Sequence, residues 1–247
     1  MDWATCLAKA APQPVSGQML RLVESQEQVA TNQLVGSLAR QSVLEDLLEA
    51  TKPAYRADSA PLHYLLATPF RYPPLRWGSR FGRRHEPSLF YAALETRTVL
   101  CEAAYYRFLF WYGMQTPPPH KLDTQHTLFG VRYRTDFGLR LQDAPFSDQR
   151  AALTHPADYR DSQSLGTSLR ERGIRAFEFV SARDREGINI GLFTPLALAQ
   201  RQPNFQTAWL CELNGSLVRF REGYGKTLFE FALDAFLVNG ELPQPSV

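Results

Sequence analysis

Leu89-Phe90-Tyr91-Ala92-Ala93-Leu94 runs directly into the stretch from Glu95 to Tyr112, and reading that junction decides the fold class. The first six residues form a short continuous apolar run, the pattern of a buried strand. The next stretch is rich in Ala, Leu, Tyr and Phe and ends near Gly113, ahead of the Pro117-Pro118-Pro119 break, so it reads as a long helix. A strand handing over to a helix in this way calls for a sheet with a helix packed against it.

Upstream, Val43, Leu44, Leu47 and Leu48 recur at helical spacing opposite Glu45, Asp46 and Glu49, so Ala39 to Ala50 is expected to be an amphipathic helix stopping before Lys52-Pro53. A second helix is expected to start at Ser59, with Pro61 in its first turn, and to end before Pro69. Met19-Leu20-Arg21-Leu22-Val23 reads as a first strand, followed by a helix from Glu24 to about Val29. Residues 1–17, with Pro12, Pro14 and Gly17, read as a flexible surface arm, and Phe70 to Gly82 as an ordered irregular loop.

Downstream, strands are expected around Thr127 to Arg134, Gly138 to Gln142, Ala176 to Val180, Ile188 to Leu192, Ala208 to Leu213 and Leu217 to Arg221. A helix from Asp161 to Arg172 is closed by Gly173. Strands and helices mix with no regular βαβ repeat and no internal repeat. The expected architecture is therefore a single α+β domain, a central mixed or antiparallel sheet flanked by helices.

The chain of 247 residues carries 27 Lys and Arg against 25 Asp and Glu, a net charge of +2, which supplies no global field for nucleic acid or an anionic membrane. Any anion site must be local. Lys stands only at Lys9, Lys52, Lys121 and Lys226, so the basic residues are mostly Arg, whose planar fork suits phosphate. Cys6, Cys101 and Cys211 are odd in number and far apart, which argues against a disulfide framework or a zinc cluster and fits a reducing cytoplasm. No apolar run reaches the roughly 20 residues of a membrane span, and the N-terminus lacks the apolar stretch of a signal peptide.

The five histidines make no metal-ligand spacing, and the chain has no GxGxxG, Walker A or GxSxG motif. Metal, dehydrogenase, P-loop and α/β-hydrolase readings lose support together. Two arginines, Arg71 in Pro69-Phe70-Arg71-Tyr72-Pro73-Pro74 and Arg80 in Gly78-Ser79-Arg80-Phe81-Gly82, sit between conformationally fixed residues. They suit the grip of a pyrophosphate, or else form a solvated proline-rich loop. Glu102 lies in the apolar run Val99-Leu100-Cys101-Glu102-Ala103-Ala104, where a carboxylate needs either a ligand or a local partner such as Arg97 or Arg107. Tyr91 offers an aromatic face or is simply core. Ser181, closing Phe177-Glu178-Phe179-Val180, is a strand-end hydroxyl that ordinarily forms a turn.

Taken in order, Gly78-Ser79-Arg80-Phe81, Phe90-Tyr91-Ala92-Ala93-Leu94, Leu100-Cys101-Glu102-Ala103-Ala104, Tyr159-Arg160-Asp161-Ser162-Gln163-Ser164-Leu165-Gly166 and Phe177-Glu178-Phe179-Val180-Ser181-Ala182-Arg183, with Gly187-Ile188-Asn189-Ile190 behind, resemble the RES family over roughly Gln18 to Arg221. That family supplies toxins of bacterial toxin–antitoxin pairs. The resemblance implies an ADP-ribosyltransferase-like fold and consumption of NAD, by release of nicotinamide to water or phosphate or by transfer of ADP-ribose to a protein. It also implies a cytoplasmic location, a cognate antitoxin of the Xre helix-turn-helix type through which the toxin could oligomerise, and no metal, nucleic-acid or membrane partner.

Residue by residue, Arg80 matches the family's Arg after the glycine turn, Tyr91 its strand Tyr, Glu102 its Glu and Ser181 its Ser. Arg21 matches the family's first-strand Arg by context, with Arg71 as the alternative. Choosing Arg21 makes residues 24–75 a partly helical insertion inside a domain spanning 18–240, with 241–247 as a tail. On this reading Arg21, Arg80, Glu102 and Ser181 are catalytic, and Arg21, Arg71, Arg80, Tyr91 and Ser181 bind NAD. The rival readings are a narrow-target protein ADP-ribosyltransferase and an inactive binding module in which Arg80 and Glu102 form a structural ion pair.

Overall fold

The computed structural model describes residues 3–25, 37–223 and 225–246. Its elements in chain order are α1 (Trp3–Ala8), β1 (Gln13–Glu24), α2 (Leu38–Thr51), α3 (Tyr64–Arg71), β2 (Phe90–Ala93), α4 (Thr96–Tyr112), β3 (Leu122–Arg140), α5 (Arg150–Leu153), α6 (Arg160–Glu171), β4 (Ala176–Val180), β5 (Ile188–Leu192), β6 (Phe205–Leu213), β7 (Leu217–Glu222) and β8 (Leu228–Ala232). The helix expected from Glu24 to Val29 lies largely outside the described residues.

The strands form one sheet in the order β1-β2-β5-β4-β3-β6-β7-β8, and a further β1–β3 pairing closes the first five strands on themselves. Only β3–β4 is parallel, so the sheet is mixed and mostly antiparallel, and the α+β expectation holds. β3 is the spine. Its first half pairs with β6, its middle with β1 and its last three residues with β4.

The long strand corrects the sequence reading, which split it in two at Thr135-Asp136-Phe137. The strand continues through Gly138, where a Cβ would meet Val15 Cγ2 at 2.2 Å, so the glycine makes room for Val15 across the ladder. The opening residues also differ from the expected arm. Trp3 and Leu7 are buried in the core that includes Leu165 and Leu169 of α6, and Trp3 Nε1 donates to Asp161 O at 2.9 Å. Pro14 is accommodated at a register shift between Gln13 and Val15, where its missing N–H costs no ladder bond. Gly17 lets the Tyr133 ring approach to about 3 Å of where its Cβ would stand.

α3 begins later than expected, at Tyr64, because the His63 ring accepts from Leu65 N and caps it, while Ser59 to Leu62 is a turn. The helix passes through Pro69 and ends at Arg71, since a proline in the last turn forfeits a single hydrogen bond. α2 forms where the spacing placed it, but its apolar stripe does not enter the core: Val43 and Leu47 are 59% and 61% exposed. β8 escaped the sequence reading. The tail is tied down, with Tyr105 Oη donating to Pro243 O at 2.6 Å and Ser246 bridging to Ala157 and Tyr159.

Two cores meet at the site. α4 packs Leu100, Ala104, Tyr105 and Phe108 on Trp209, Cys211 and Phe220 of β6 and β7. On the far side α6 packs Leu165 and Leu169 with Phe81, Phe177 and Phe179. The seam between them opens beside β2, β4 and β5. Among the described residues no helix is long and apolar enough to cross a membrane.

Candidate active site

β2 leads straight into α4, and Leu94 N donates to Ile188 O at 2.9 Å, which fixes the first turns of the helix against β5. Glu102 therefore projects from a rigid element beside the sheet. β4 ends at Val180, and the loop that follows is closed on itself and clamped to α4 at two points. Ser181 N donates to Gly187 O at 2.8 Å, Thr98 Oγ1 to Asp184 Oδ2 at 2.9 Å, and Cys101 Sγ to Arg183 O at 3.3 Å. A side chain at Gly187 would meet Thr98 Oγ1 at 2.3 Å, so this loop requires glycine for close approach.

The clamp delivers Ser181 to Glu102. Ser181 Oγ accepts from the backbone N–H groups of Arg183 and Asp184, both at 3.0 Å, and donates to Glu102 Oε1 at 2.6 Å. The hydroxyl that forms the turn is thus the same one that contacts Glu102. Asn189 on β5, opposite both Ala93 and Phe179, donates Nδ2 to the same Glu102 oxygen at 2.7 Å. Two short charge-assisted bonds converge on Oε1 and leave Oε2 available on the wall of the cavity. Neither Arg97 nor Arg107 serves Glu102: Arg97 lies over the Phe231 ring, and Arg107 bonds Thr124 and pairs with Glu24.

The cavity measures about 320 Å³ and is lined by Glu102, Arg21, Arg80, Tyr91, Tyr159 and Asn189, among others. Arg21 reaches it from β1. Its Nη1 donates to Tyr91 O, its guanidinium stands 5.2 Å from the Phe90 ring centroid, and its Nε is buried with no partner. No carboxylate among the described residues pairs with it. Burial pulls its pKa down to about 10, which leaves it a cation at neutral pH. A buried, half-satisfied guanidinium beside a cavity is costly by itself and suited to an incoming anion.

Arg80 is held differently, through Nη1 to His155 O at 2.9 Å and Leu153 O at 3.2 Å, with its guanidinium 4.5 Å over the Tyr159 ring. Its loop depends on Gly78, whose φ of 72° is in the left-handed region, and on buried Gln163, which donates to Trp77 O and Ser79 O at 3.0 Å each. At Gly166 a Cβ would meet Phe81 O at 2.0 Å, so α6 can press directly on this loop. Tyr91 Oη accepts from Phe81 N at 2.9 Å and bonds Ser79 Oγ at 3.0 Å. Burial raises its pKa to about 12, so it stays a neutral phenol. Burial also pushes the Cys101 thiol up to about 12, with Glu102 and Asp184 adding to the effect, which removes it as a nucleophile.

Of the residues singled out from the sequence, Arg21, Arg80, Tyr91 and Glu102 share one cavity. Ser181, 2% exposed, stands behind Glu102 and is absent from the cavity wall. Arg71 is elsewhere: it pairs with Glu49 at 2.6 Å, stacks 4.0 Å over Tyr55, and lines a neighbouring cavity. Arg80 and Glu102 have separate partners, so the structural ion pair of the binding-module reading is not formed. The sequence reading assigned no role to Asn189, Gln163, Tyr159 or Gly166, although all four stood in the quoted motifs. Asn189 had a usable signal, a polar residue between Ile188 and Ile190 in a buried strand. Among the described residues no group of three or more His, Cys, Asp or Glu converges to hold a metal ion.

Fold and pocket together define a single-domain α+β protein with a cation-walled ligand cavity and an oriented carboxylate. Residues 53–214 match the model of the RES domain, and the chain belongs to that family. The matched span contains Arg71, Arg80, Tyr91, Glu102 and Ser181 but begins after Arg21, so it is the β1–β2 pairing and the Arg21 bond to Tyr91 O that bring Arg21 to the others. It also takes in residues 53–75, placed by the sequence reading in an insertion. The structure is similar to a chain in the crystal structure of the M.tuberculosis MbcT-MbcA toxin-antitoxin complex, with 11% identity, a TM-score of 0.45, and coverage of 82% of this chain and 87% of that one. No curated protein matches the sequence.

Proposed function

We propose that the cavity binds NAD and splits its nicotinamide–ribose bond, and that the chain is the toxin of a toxin–antitoxin pair, held in check in the cytoplasm by an Xre-type helix-turn-helix antitoxin. Membership of the RES family supports the toxin role. The observation that carries the chemistry is Glu102, a carboxylate whose one oxygen is held by Ser181 and Asn189 while the other remains available beside two arginines.

As nicotinamide departs, positive charge builds on the ribose at C1′ and the ring oxygen. A preorganised carboxylate facing that charge stabilises the transition state more than the ground state, where the ribose is neutral. Ser181 and Asn189 act as positioning residues: they fix the carboxylate and keep Oε2 aimed at the substrate. Nicotinamide leaves as a neutral molecule, taking the bonding pair onto its ring nitrogen, so no general acid is needed. Arg21 and Arg80 receive the pyrophosphate, Arg21 from a buried position and Arg80 braced on Tyr159. Tyr91 offers its ring to the nicotinamide riboside while its hydroxyl holds the Arg80 loop. The vacated C1′ takes water, phosphate or a protein nucleophile. With water the products are ADP-ribose, nicotinamide and a proton.

The test is nicotinamide release from NAD by purified, antitoxin-free protein, with and without phosphate or cell extract, beside Glu102→Gln. Release by the native protein and its loss in the folded variant is the expected result, and the co-substrate dependence names the acceptor. Label retained on a protein would identify a transferase. Absence of release under every condition by folded protein removes the NAD reading.

A further inference from the structure

The cavity at Glu102 is small for a dinucleotide. About 320 Å³ lies at the bottom of the roughly 300–1,000 Å³ range of ligand pockets, enough for nicotinamide and its ribose. Arg21, Ser79 and Tyr91, however, also line a second cavity of about 780 Å³, bounded by the end of α2, by α3 and by the loop that follows it. The two chambers share a wall, and the buried Arg21 guanidinium stands in it.

The second chamber has its own recognisable chemistry. Lys52 and Arg71 supply cations, both paired to Glu49 at 2.8 and 2.6 Å, and Glu24 adds a further carboxylate to the wall. Tyr55, Tyr64 and Tyr72 supply rings that are 40%, 49% and 40% exposed. Arg71 is already ordered, ion-paired to Glu49 and laid over Tyr55, with Tyr72 6.0 Å away on another side. Three large exposed aromatics around one concavity, next to fixed cations, form a surface that a planar base and a phosphate would cover.

We infer that this chamber receives the adenosine diphosphate half of NAD, with Tyr55 and Tyr72 as the stacking surface for adenine, Arg71 and Lys52 as its outer cations, and Arg21 between the two halves at the pyrophosphate. The inference rests on the NAD reading and adds to it that the enzyme selects a dinucleotide over nicotinamide mononucleotide, which has nothing to place there.

ADP binding tests the chamber without any turnover. Calorimetric titration of ADP into the native protein should show binding, and Tyr55→Ala/Tyr72→Ala should weaken it at least about tenfold, given what one base–aromatic stack is worth. Tyr72→Ala alone, an exposed position, serves if the double variant loses its melting transition. The ratio of kcat/KM for NAD to that for nicotinamide mononucleotide should fall by a similar factor. No ADP binding, or affinity and ratio both unchanged in the folded variants, overturns the assignment. If the native protein cleaves neither nucleotide, the NAD reading fails by itself, and the ADP titration still decides what the chamber holds.

Discussion

Glu102 and Glu178 are both largely enclosed carboxylates on the same sheet-and-helix framework, and they are treated in opposite ways. Glu178, on β4, is 5% exposed and has both oxygens occupied: Oε1 accepts from Tyr133 Oη at 2.8 Å, and Oε2 from Gln142 Nε2 at 3.0 Å and Arg140 Nε at 3.3 Å. Glu102 has two donors on one oxygen and an open cavity beside the other. A buried charge satisfied on every side ties strands together, whereas one satisfied on half its surface holds reactivity in reserve. The same contrast separates the arginines. Arg140 is paired with Glu178, while Arg21, half-buried with its Nε enclosed, has no acidic partner among the described residues.

The contrast is broken most forcefully at Glu178. Glu178→Ala leaves the Tyr133 hydroxyl and the Gln142 amide without their acceptor, and should cost about 3–5 kcal/mol in a denaturant titration. A loss below about 1 kcal/mol would mean the cluster is not holding β3 to β4. Glu102→Gln should do the reverse, lowering kcat roughly 10²–10³-fold with little change in melting temperature. If it melts early and turns over normally, the two carboxylates have been assigned the wrong way round.

His126 sharpens the comparison with a third buried polar group, one that stays neutral. It lies on β3 opposite Glu24, near Thr124 Oγ1, Arg107 and the Phe220 ring, and burial followed by the Arg107 charge lowers its pKa to about 4. A folded pKa below the unfolded value of about 6.5 means the unfolded state binds the proton more readily. Stability is therefore full above about pH 6.5 and declines as pH falls towards 4, by up to about 3 kcal/mol. His126→Gln should flatten that part of the stability–pH curve, and an unchanged slope would assign it to other groups.

The smallest effect is expected at the positioning residues. Asn189→Ala and Ser181→Ala should each lower kcat about tenfold with less change in KM, the worth of one hydrogen bond to a charged group. Their double variant should cost less than the product of the two, because both donors serve one oxygen. Full additivity would show that they act on different groups.

Much of this was readable along the chain. The strand–helix junction at Leu94-Glu95, the Gly173 stop and the alternating strands β4 and β5 follow from local periodicity and turn chemistry. Glu102 stands out as a carboxylate inside an apolar run, whereas Arg80, Tyr91 and Ser181 are singled out by the ordered run of motifs rather than by a break in local pattern. Failures came where a glycine or proline signalled a break that tertiary contact overruled. Gly17 sits inside β1 because Tyr133 approaches it closely, Thr135 is held in β3 opposite Val15, and Trp3 draws the first helix into the α6 core. Gln163 went unassigned because a hydrogen bond made 86 residues away leaves no local trace, and Asn189, whose polarity in a buried strand did stand out, gave no hint of its partner 87 residues away.

The sequence by itself determined the α+β class, the helices α4 and α6, the strands around the site and the residue types the chemistry needs, since each depends on neighbours within a few positions. Only the tertiary structure showed that Arg21, and not Arg71, lines the cavity with Glu102. That placement turns on the β1–β2 pairing, which sets Leu20 opposite Ala93 and lets Arg21 donate to Tyr91 O, and on the Glu49 ion pair, which holds Arg71 in the adjoining chamber. Tertiary structure also set which oxygen of Glu102 is held and which is open. Long-range pairing and burial are properties of the assembled sheet, and no periodicity in a single chain encodes them.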